Sequence, residues 1–216
     1  MKKILLLLTL AAGLNVVANA QDKPVSFGVK AGVAFPNLKF SAMGMSVSAD
    51  AKTTFYVGGV ADIKVSNIFS VQPGLTFMSK GTKSGGDVFA AEDMEVETES
   101  VSINVSYLEL PVNLLANFNA GSGKFFVGAG PYAAYALSGN TKVGGSKEDI
   151  TFGSGDDDMK RFDFGVNFLT GYQLNNGLNI HAGYGLGLGN LANDNNSGFN
   201  ASAKNKVFSV GLGFMF

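Results

Sequence analysis

The chain has no cysteine, no tryptophan and a single histidine among its 216 residues. Without cysteine, a disulfide framework and a lipid anchor on a cysteine are both excluded. Charged residues make up 15% of the chain, well below the level of about 25% that is usual for soluble domains. After residue 20 there is no run of about 18 apolar residues, so no transmembrane helix is predicted.

The first twenty residues have the pattern of a secretory signal peptide. Two lysines precede an apolar run from Ile4 to about Leu14, and a small-x-small motif ends at Ala20. This run is shorter than the roughly 20 residues that a membrane anchor needs. We predict cleavage between Ala20 and Gln21. Loss of the two lysines lowers the formal net charge from −1 to −3, which argues against a nucleic-acid partner because such partners bind basic surfaces.

Glycine and phenylalanine are abundant, with 29 and 18 residues. Eight segments of the chain place an apolar residue at every second position, which is the pattern of a β-strand. The last segment runs to the C-terminus as KVFSVGLGFMF, in which alternate residues from Phe208 to Phe216 are apolar. A soluble domain usually ends in a frayed polar tail, so this ending predicts a terminal strand that is held in a sheet.

The connections between these segments alternate between short turns and long polar stretches. The short turns include Ser66-Asn67 and Asn175-Asn176-Gly177, and the long stretches lie near residues 36–53, 82–100, 138–160 and 190–205. Short turns at one end and long loops at the other are typical of outer-membrane barrels. We therefore predict that residues 21–216 form an eight-stranded antiparallel up-and-down transmembrane β-barrel.

In such a barrel the apolar face of each strand meets lipid, and the small or polar face points inward. The alternative is a lipocalin-like soluble barrel with its apolar face inward. It is disfavoured because the second face is rich in glycine and poor in charge. With no tryptophan, the aromatic belts are assigned to phenylalanine and tyrosine: Phe27, Phe35, Phe55, Phe69, Phe77, Tyr135, Phe162, Tyr172, Phe208 and Phe216. Pro73, Pro111 and Pro131 interrupt strand patterns, so bulges or strand ends are expected there.

An eight-stranded barrel is only wide enough for side chains to fill its interior. The alternation predicts a polar network inside it, made of Lys30, Asp62, Lys64, Lys80, Glu109, Asp163 and His181. Charges of both signs suit a paired, plugged interior, although a narrow gated passage is the open alternative. His181 is expected to be a hydrogen-bonded interior residue rather than a catalytic or metal-binding one.

No stretch of the sequence matches a catalytic or cofactor-binding motif. The stretch GYGLGLG has glycine at period two within a strand pattern, unlike a dinucleotide-binding turn that opens a helix. Acidic residues cluster at 92–99 and 156–158, where oxygen ligands could hold divalent cations or simply form a solvated rim. We therefore assign no catalytic residue, no cofactor and no defined metal site.

Five stretches resemble successive hairpin motifs of the PorT-like outer-membrane β-barrel proteins, often called a porin family: FSVQPGLTFMSKG, YLELPVNLLANF, FFVGAGPYAAYAL, RFDFGVNFLTGYQL and LNIHAGYGLGLGNL. The resemblance covers the chain after residue 20 and implies the outer membrane of a Gram-negative bacterium. The terminal Phe216 resembles the signal that the barrel-assembly machinery reads, which implies this machinery as a transient partner.

The combined expectation is a non-enzymatic, monomeric barrel that presents surface loops for structural or interaction roles. Its expected partners are outer-membrane lipid, lipopolysaccharide and an envelope or host protein bound through the loops. One alternative is a narrow channel for ions or small solutes. A second, implied by the resemblance, is an accessory component of a secretion apparatus.

Overall fold

A computed structural model describes residues 24–42, 45–48, 50–84, 101–153, 155, 158–192 and 202–216. The predicted signal peptide and its cleavage site, Ala20 and Gln21, lie outside these residues and remain predictions. The described residues include no helix that is long and apolar enough to cross a membrane. They form eleven strands: β1 (Val25–Ala42), β2 (Met45–Ser48), β3 (Asp50–Ala51), β4 (Thr54–Lys64), β5 (Phe69–Ser84), β6 (Val101–Ala120), β7 (Gly123–Val143), β8 (Ser146–Asp149), β9 (Phe162–Leu174), β10 (Leu178–Gly187) and β11 (Ser202–Met215).

Eight of these strands form a closed antiparallel ring. Their order is β1, β4, β5, β6, β7, β9, β10 and β11, and β11 pairs with β1 to complete the circle. The closing register runs from Gly28 opposite Met215 to Ser41 opposite Ser202. The backbone N–H of Phe216 also donates to the carbonyl of Phe27 at 2.8 Å. The predicted eight-stranded barrel is confirmed, and the C-terminal ladder is its closing strand.

Burial alternates along the ring strands as predicted, with the apolar face outside. On β4, Phe55 and Val57 are exposed on the outer surface, whereas Tyr56 between them is buried in the interior. On β11, Phe208 and Leu212 are exposed and Val207 is buried. Exposure of this apolar face to water would be unfavourable, whereas contact with lipid hydrocarbon is not. The backbone N–H and C=O groups pair with each other around the closed ring. The lipocalin-like orientation is therefore excluded.

Strands extend into all four segments that the sequence predicted as outer loops. β1 runs to Ala42 within 36–53, β5 to Ser84 at the start of 82–100, β7 to Val143 within 138–160, and β11 begins at Ser202 inside 190–205. The short strands β2, β3 and β8 also fall in the first and third segments. Beyond the bilayer both faces of a strand can be polar, so pairing continues where the alternation that marks a strand has disappeared. Residues 85–100 lie outside the described part of the chain.

The expectation of bulges or strand ends at the prolines is wrong. Pro73, Pro111 and Pro131 lie within β5, β6 and β7. Pairing is interrupted opposite each proline on one side and resumes in unchanged register. Each proline lacks a backbone N–H and interrupts the pairing locally, but it does not shift the strand relative to its neighbour. The register shift found in the β6–β7 pair lies elsewhere, between Ser106 and Tyr107.

Candidate functional site: the polar interior of the barrel

A tyrosine spans two neighbouring strands inside the barrel to reach the histidine. Tyr56 on β4, Gly32 on β1, Gly211 on β11 and His181 on β10 are direct partners in successive strand pairs. A Cβ atom at Gly211 would overlap the Tyr56 hydroxyl, and one at Gly32 would lie 2.7 Å from it. The two glycines therefore provide the space in which the tyrosine side chain lies across the wall.

The tyrosine and an asparagine fix the protonation of the imidazole. The Tyr56 hydroxyl lies 2.7 Å from His181 Nε2, and Asn179 Oδ1 lies 2.9 Å from His181 Nδ1. An amide oxygen can only accept a hydrogen bond, so Nδ1 carries the proton and Nε2 accepts the proton of the tyrosine hydroxyl. Both ring nitrogens are thus occupied, as expected for a hydrogen-bonded interior histidine.

A buried ion cluster lies nearer the outer end of the barrel. Lys80 Nζ is 2.9 Å from Glu109 Oε2 and 3.2 Å from Asp163 Oδ2, and all three side chains are at most 7% exposed. Asn205 and Tyr132 also donate to Asp163 Oδ2, at 2.8 and 3.3 Å. The ammonium lies 4.5 Å from the centre of the Tyr132 ring. Charge pairing and additional hydrogen bonds together offset the cost of burying these ions.

A second ion pair lies towards the end with the short turns. Lys124 Nζ is 3.6 Å from Asp62 Oδ2, with the carboxylate buried and the lysine partly exposed. Lys30 lies inside the barrel between this pair and the Lys80 cluster, and it lines the cavities on both sides. Among the described interior residues, three lysines therefore face three carboxylates, so the interior is electrically balanced.

Six of the seven side chains predicted for the polar network lie in the interior, and Lys64 does not. Lys64 is the last residue of β4 and is exposed to solvent. Its position in the alternation is inward, but β4 ends there and the side chain is exposed rather than enclosed by the barrel. The prediction that Lys64 belongs to the lumen network is therefore wrong.

Several members of the network were missed by the sequence analysis. Lys124 and Tyr132 have inward positions in the alternation of β7, which is the signal that could have identified them. Asn167 and Asn179 also lie on inward positions, and Asn167 Nδ2 donates to Glu109 Oε1 at 3.2 Å. Asn205 lies in the segment 190–205, which the sequence predicts as a loop, so the pattern gives no signal for it.

Between the described strands, the interior holds two small cavities, one on either side of Lys30. One, of about 50 Å³, lies beside Lys80 and Tyr56, and the other, of about 30 Å³, lies beside Asp62 and Lys124. Each is large enough for one or a few water molecules. The side chains that line both cavities, and so separate them, are Lys30, Leu169 and His181.

Apolar side chains fill the outer mouth above the ion cluster. Leu38, Leu191 and Ala203 form one buried group there, and Val105, Tyr107 and Ala136 belong to a second, which continues through Ala134 and Tyr132 to the level of the ion cluster. Ile103 and Met159 pack against both groups. Met159 is positioned by isolated bridges to Phe152 and Ala192. Part of the third predicted loop therefore folds into the mouth of the barrel.

A closed antiparallel ring with a lipid-facing apolar surface and a charged, hydrogen-bonded interior defines a transmembrane β-barrel. The family model described as "Outer membrane protein beta-barrel domain" matches residues 19–193. This match covers most of the chain, so the chain belongs to that family. Its location is the outer membrane of a Gram-negative bacterium.

Solved outer-membrane barrels are similar in architecture but distant in sequence. Neisserial surface protein A (NspA) is 16% identical with a TM-score of 0.47, and Ail, the attachment invasion locus protein of Yersinia pestis, is 13% identical with a TM-score of 0.44. For both, the alignment covers 90% of this chain and 100% of the other. OprG from Pseudomonas aeruginosa is 11% identical with a TM-score of 0.45, over 90% of this chain and 97% of OprG. No curated protein sequence matches the chain.

Proposed function

We propose that the protein is a non-enzymatic outer-membrane barrel with a sealed interior, which presents its outer strands and loops for structural or interaction roles. The observation that carries this proposal is the Lys80 cluster beneath the apolar mouth. A conducting pathway would have to separate Lys80 from both Glu109 and Asp163, and each separation would leave a charge unpaired in a low-dielectric interior.

The length of the strands supports the presentation role. About 9–11 residues are enough for a tilted strand to cross the membrane, whereas β6 has 20 residues and β7 has 21. At about 3.3 Å per residue, each of these strands is some 65–70 Å long. Roughly half of this hairpin therefore projects beyond the bilayer, where it can contact another molecule.

The test is single-channel conductance of the refolded mature protein in a planar bilayer. Folding is verified by the heat-dependent gel shift of the folded barrel. We expect no discrete conductance steps from the wild-type protein. Reproducible steps that change when Glu109 is replaced by glutamine would contradict the sealed interior.

The second candidate is a narrow channel, and the arrangement of the two cavities favours it. Lys30, Leu169 and His181 line both cavities and form a partition between them, so rotation of a few side chains could join the two. Leu169→Ala removes part of the barrier between the two cavities, whereas Leu115→Ala removes an equal volume beside one cavity only. Conductance in the Leu169 variant but not in the Leu115 control would favour a gated channel over the sealed barrel.

Membership of the PorT-like proteins and a role in a secretion apparatus are the most specific hypotheses from the sequence, and both remain proposals. They predict that a tagged chain, extracted from its native envelope in mild detergent, is recovered with a periplasmic or translocon complex. Recovery of the barrel alone would leave the loop-presenting role as the better proposal.

A further inference from the structure

Three lysines lie together on the outer surface of the barrel, where the first and last strands of the ring meet. Lys39 of β1 is the direct partner of Lys204 of β11, and Lys206 is the partner of Asn37. Leu38, next to Lys39 in the chain, is buried in the outer mouth. Because neighbouring side chains of a strand point to opposite faces, these three lysines, here called the seam lysines, lie on the outside.

The seam lysines lie just above the lipid-facing surface. Phe35 and Phe208 are direct partners whose rings stack with their centres 6.2 Å apart, and they end the apolar ladder on these strands. Lys206 is two residues beyond Phe208 and Lys204 is four, which places them about 7 and 13 Å further along the strand. This is the depth of the lipid headgroups, because the strands are tilted and aromatic residues mark the edge of the hydrocarbon.

The positive charge of the seam is not balanced by the described part of the protein. Like charges on directly opposite residues destabilise a strand pair, and Lys39 faces Lys204 in this way. The ion pairs among the described residues involve Lys80, Lys124 and Lys147, and none involves a seam lysine. An anion bound between the strands would relieve this repulsion.

Two other cations near the outer end of the barrel are engaged by neighbouring groups. Lys52 Nζ donates to Ser102 Oγ at 3.1 Å. Arg161 lies over the rings of Phe152 and Tyr135, at 5.0 and 5.8 Å from their centres. The seam lysines differ from these in having neither a hydrogen bond nor a ring contact among the described residues.

We propose that the seam lysines bind the phosphate groups of the phosphorylated glycolipid of the outer leaflet. The seam lies at the long-loop end of the barrel, so this leaflet is the one that it meets. Phosphates at headgroup level would contact the three ammonium groups, and the acyl chains would pack on Phe35, Phe208 and Val210 below. The glycolipid would cover the joint at which the ring closes.

The experiment measures binding of lipid to the refolded mature barrel in neutral detergent, by native mass spectrometry. The probes are purified lipid A with its phosphates, its dephosphorylated form, and phosphatidylglycerol. The test variant is Lys204→Gln/Lys206→Gln. The control is Lys64→Gln/Lys147→Gln, which removes the same charge from exposed positions away from the seam. From the usual contribution of a lysine to the affinity for an anionic surface, we expect the loss of two lysines to weaken binding about thirtyfold.

The expected result is weaker binding of phosphorylated lipid A to the test variant, with the control close to wild type and the Lys204→Arg/Lys206→Arg variant retaining binding. Binding should also weaken as salt is raised. The heat-dependent gel shift verifies that every variant is folded. Equal binding by test and control variants, equal binding of the dephosphorylated lipid, or equal binding of phosphatidylglycerol would each overturn the proposal.

Discussion

Replacing Lys80 with methionine should destabilise the barrel strongly, because two buried carboxylates would lose their counterion. Methionine is close to lysine in length, so the cavity left by the substitution is small. Glu109 would keep its hydrogen bond from Asn167, and Asp163 would keep that from Asn205. The free-energy change therefore reports mainly on charge.

The magnitude follows from the two distances of 2.9 and 3.2 Å. At an effective dielectric constant of about 20, each contact contributes roughly 5 kcal/mol of Coulomb attraction. Burial of the ammonium ion costs several kcal/mol, which offsets part of this gain. Removing one partner of a buried pair typically costs about 3–5 kcal/mol, and we expect Lys80→Met to lower the free energy of unfolding by that amount.

The assay is urea unfolding of the refolded barrel in lipid vesicles, followed by circular dichroism because the chain has no tryptophan. Lys147→Met is the control, since this lysine is exposed and its ion pair with Asp149 is long, at 3.8 Å. The triple variant Lys80→Met/Glu109→Gln/Asp163→Asn should recover part of the lost stability because neither carboxylate is left charged without its counterion. A Lys80→Met barrel within about 1 kcal/mol of wild type would refute the reasoning, as would a triple variant no more stable than the single one.

Two further predictions concern the tyrosine that crosses the wall and a lysine outside the membrane. Gly211→Ala should lower the free energy of unfolding by about 1–3 kcal/mol, because the new Cβ overlaps the Tyr56 hydroxyl. Adding Tyr56→Ala should recover part of this loss in the same assay. Purely additive effects of the two substitutions would contradict the predicted overlap between residues 211 and 56. Burial, with the nearby Lys142 and Lys83, lowers the pKa of Lys52 below 10.5, so Lys142→Gln should raise that pKa, as measured by NMR of isotopically methylated lysine. An unchanged or lower value would contradict it, and Lys64→Gln is the control.

The alternation of apolar residues was enough to predict the ring, its closure and the faces of its strands. A lipid-facing position tolerates few polar residues, so the outward ladder is strict and readable from one sequence. The same logic placed Asp62, Lys80 and Glu109 inside. Identification of which lysine pairs with which carboxylate required the structure, because the partners lie on strands far apart in the chain.

Alternation loses its predictive value where the lipid-facing surface ends. Lys64 has an inward position, but it is the last residue of β4 and is exposed, and alternation carries no information on where the barrel stops. Beyond the outer rim both faces of β7 and β11 can be polar, so the strands continued into segments interpreted as loops. Asn205, which binds Asp163 from one such segment, was missed for that reason.

The interior and the outer wall place different demands on the sequence. In the proposed sealed barrel, the apolar mouth, the Lys80 cluster and the Lys30–Leu169–His181 partition lie at different depths, so opening the interior would require all three to change. The outer wall is not subject to that coupling, since its residues pair through the backbone and their side chains face solvent or lipid headgroups. Substitutions there can alter binding without breaking a buried ion pair. The outer wall is therefore the part of the barrel whose side chains can specify a partner at the least cost in stability.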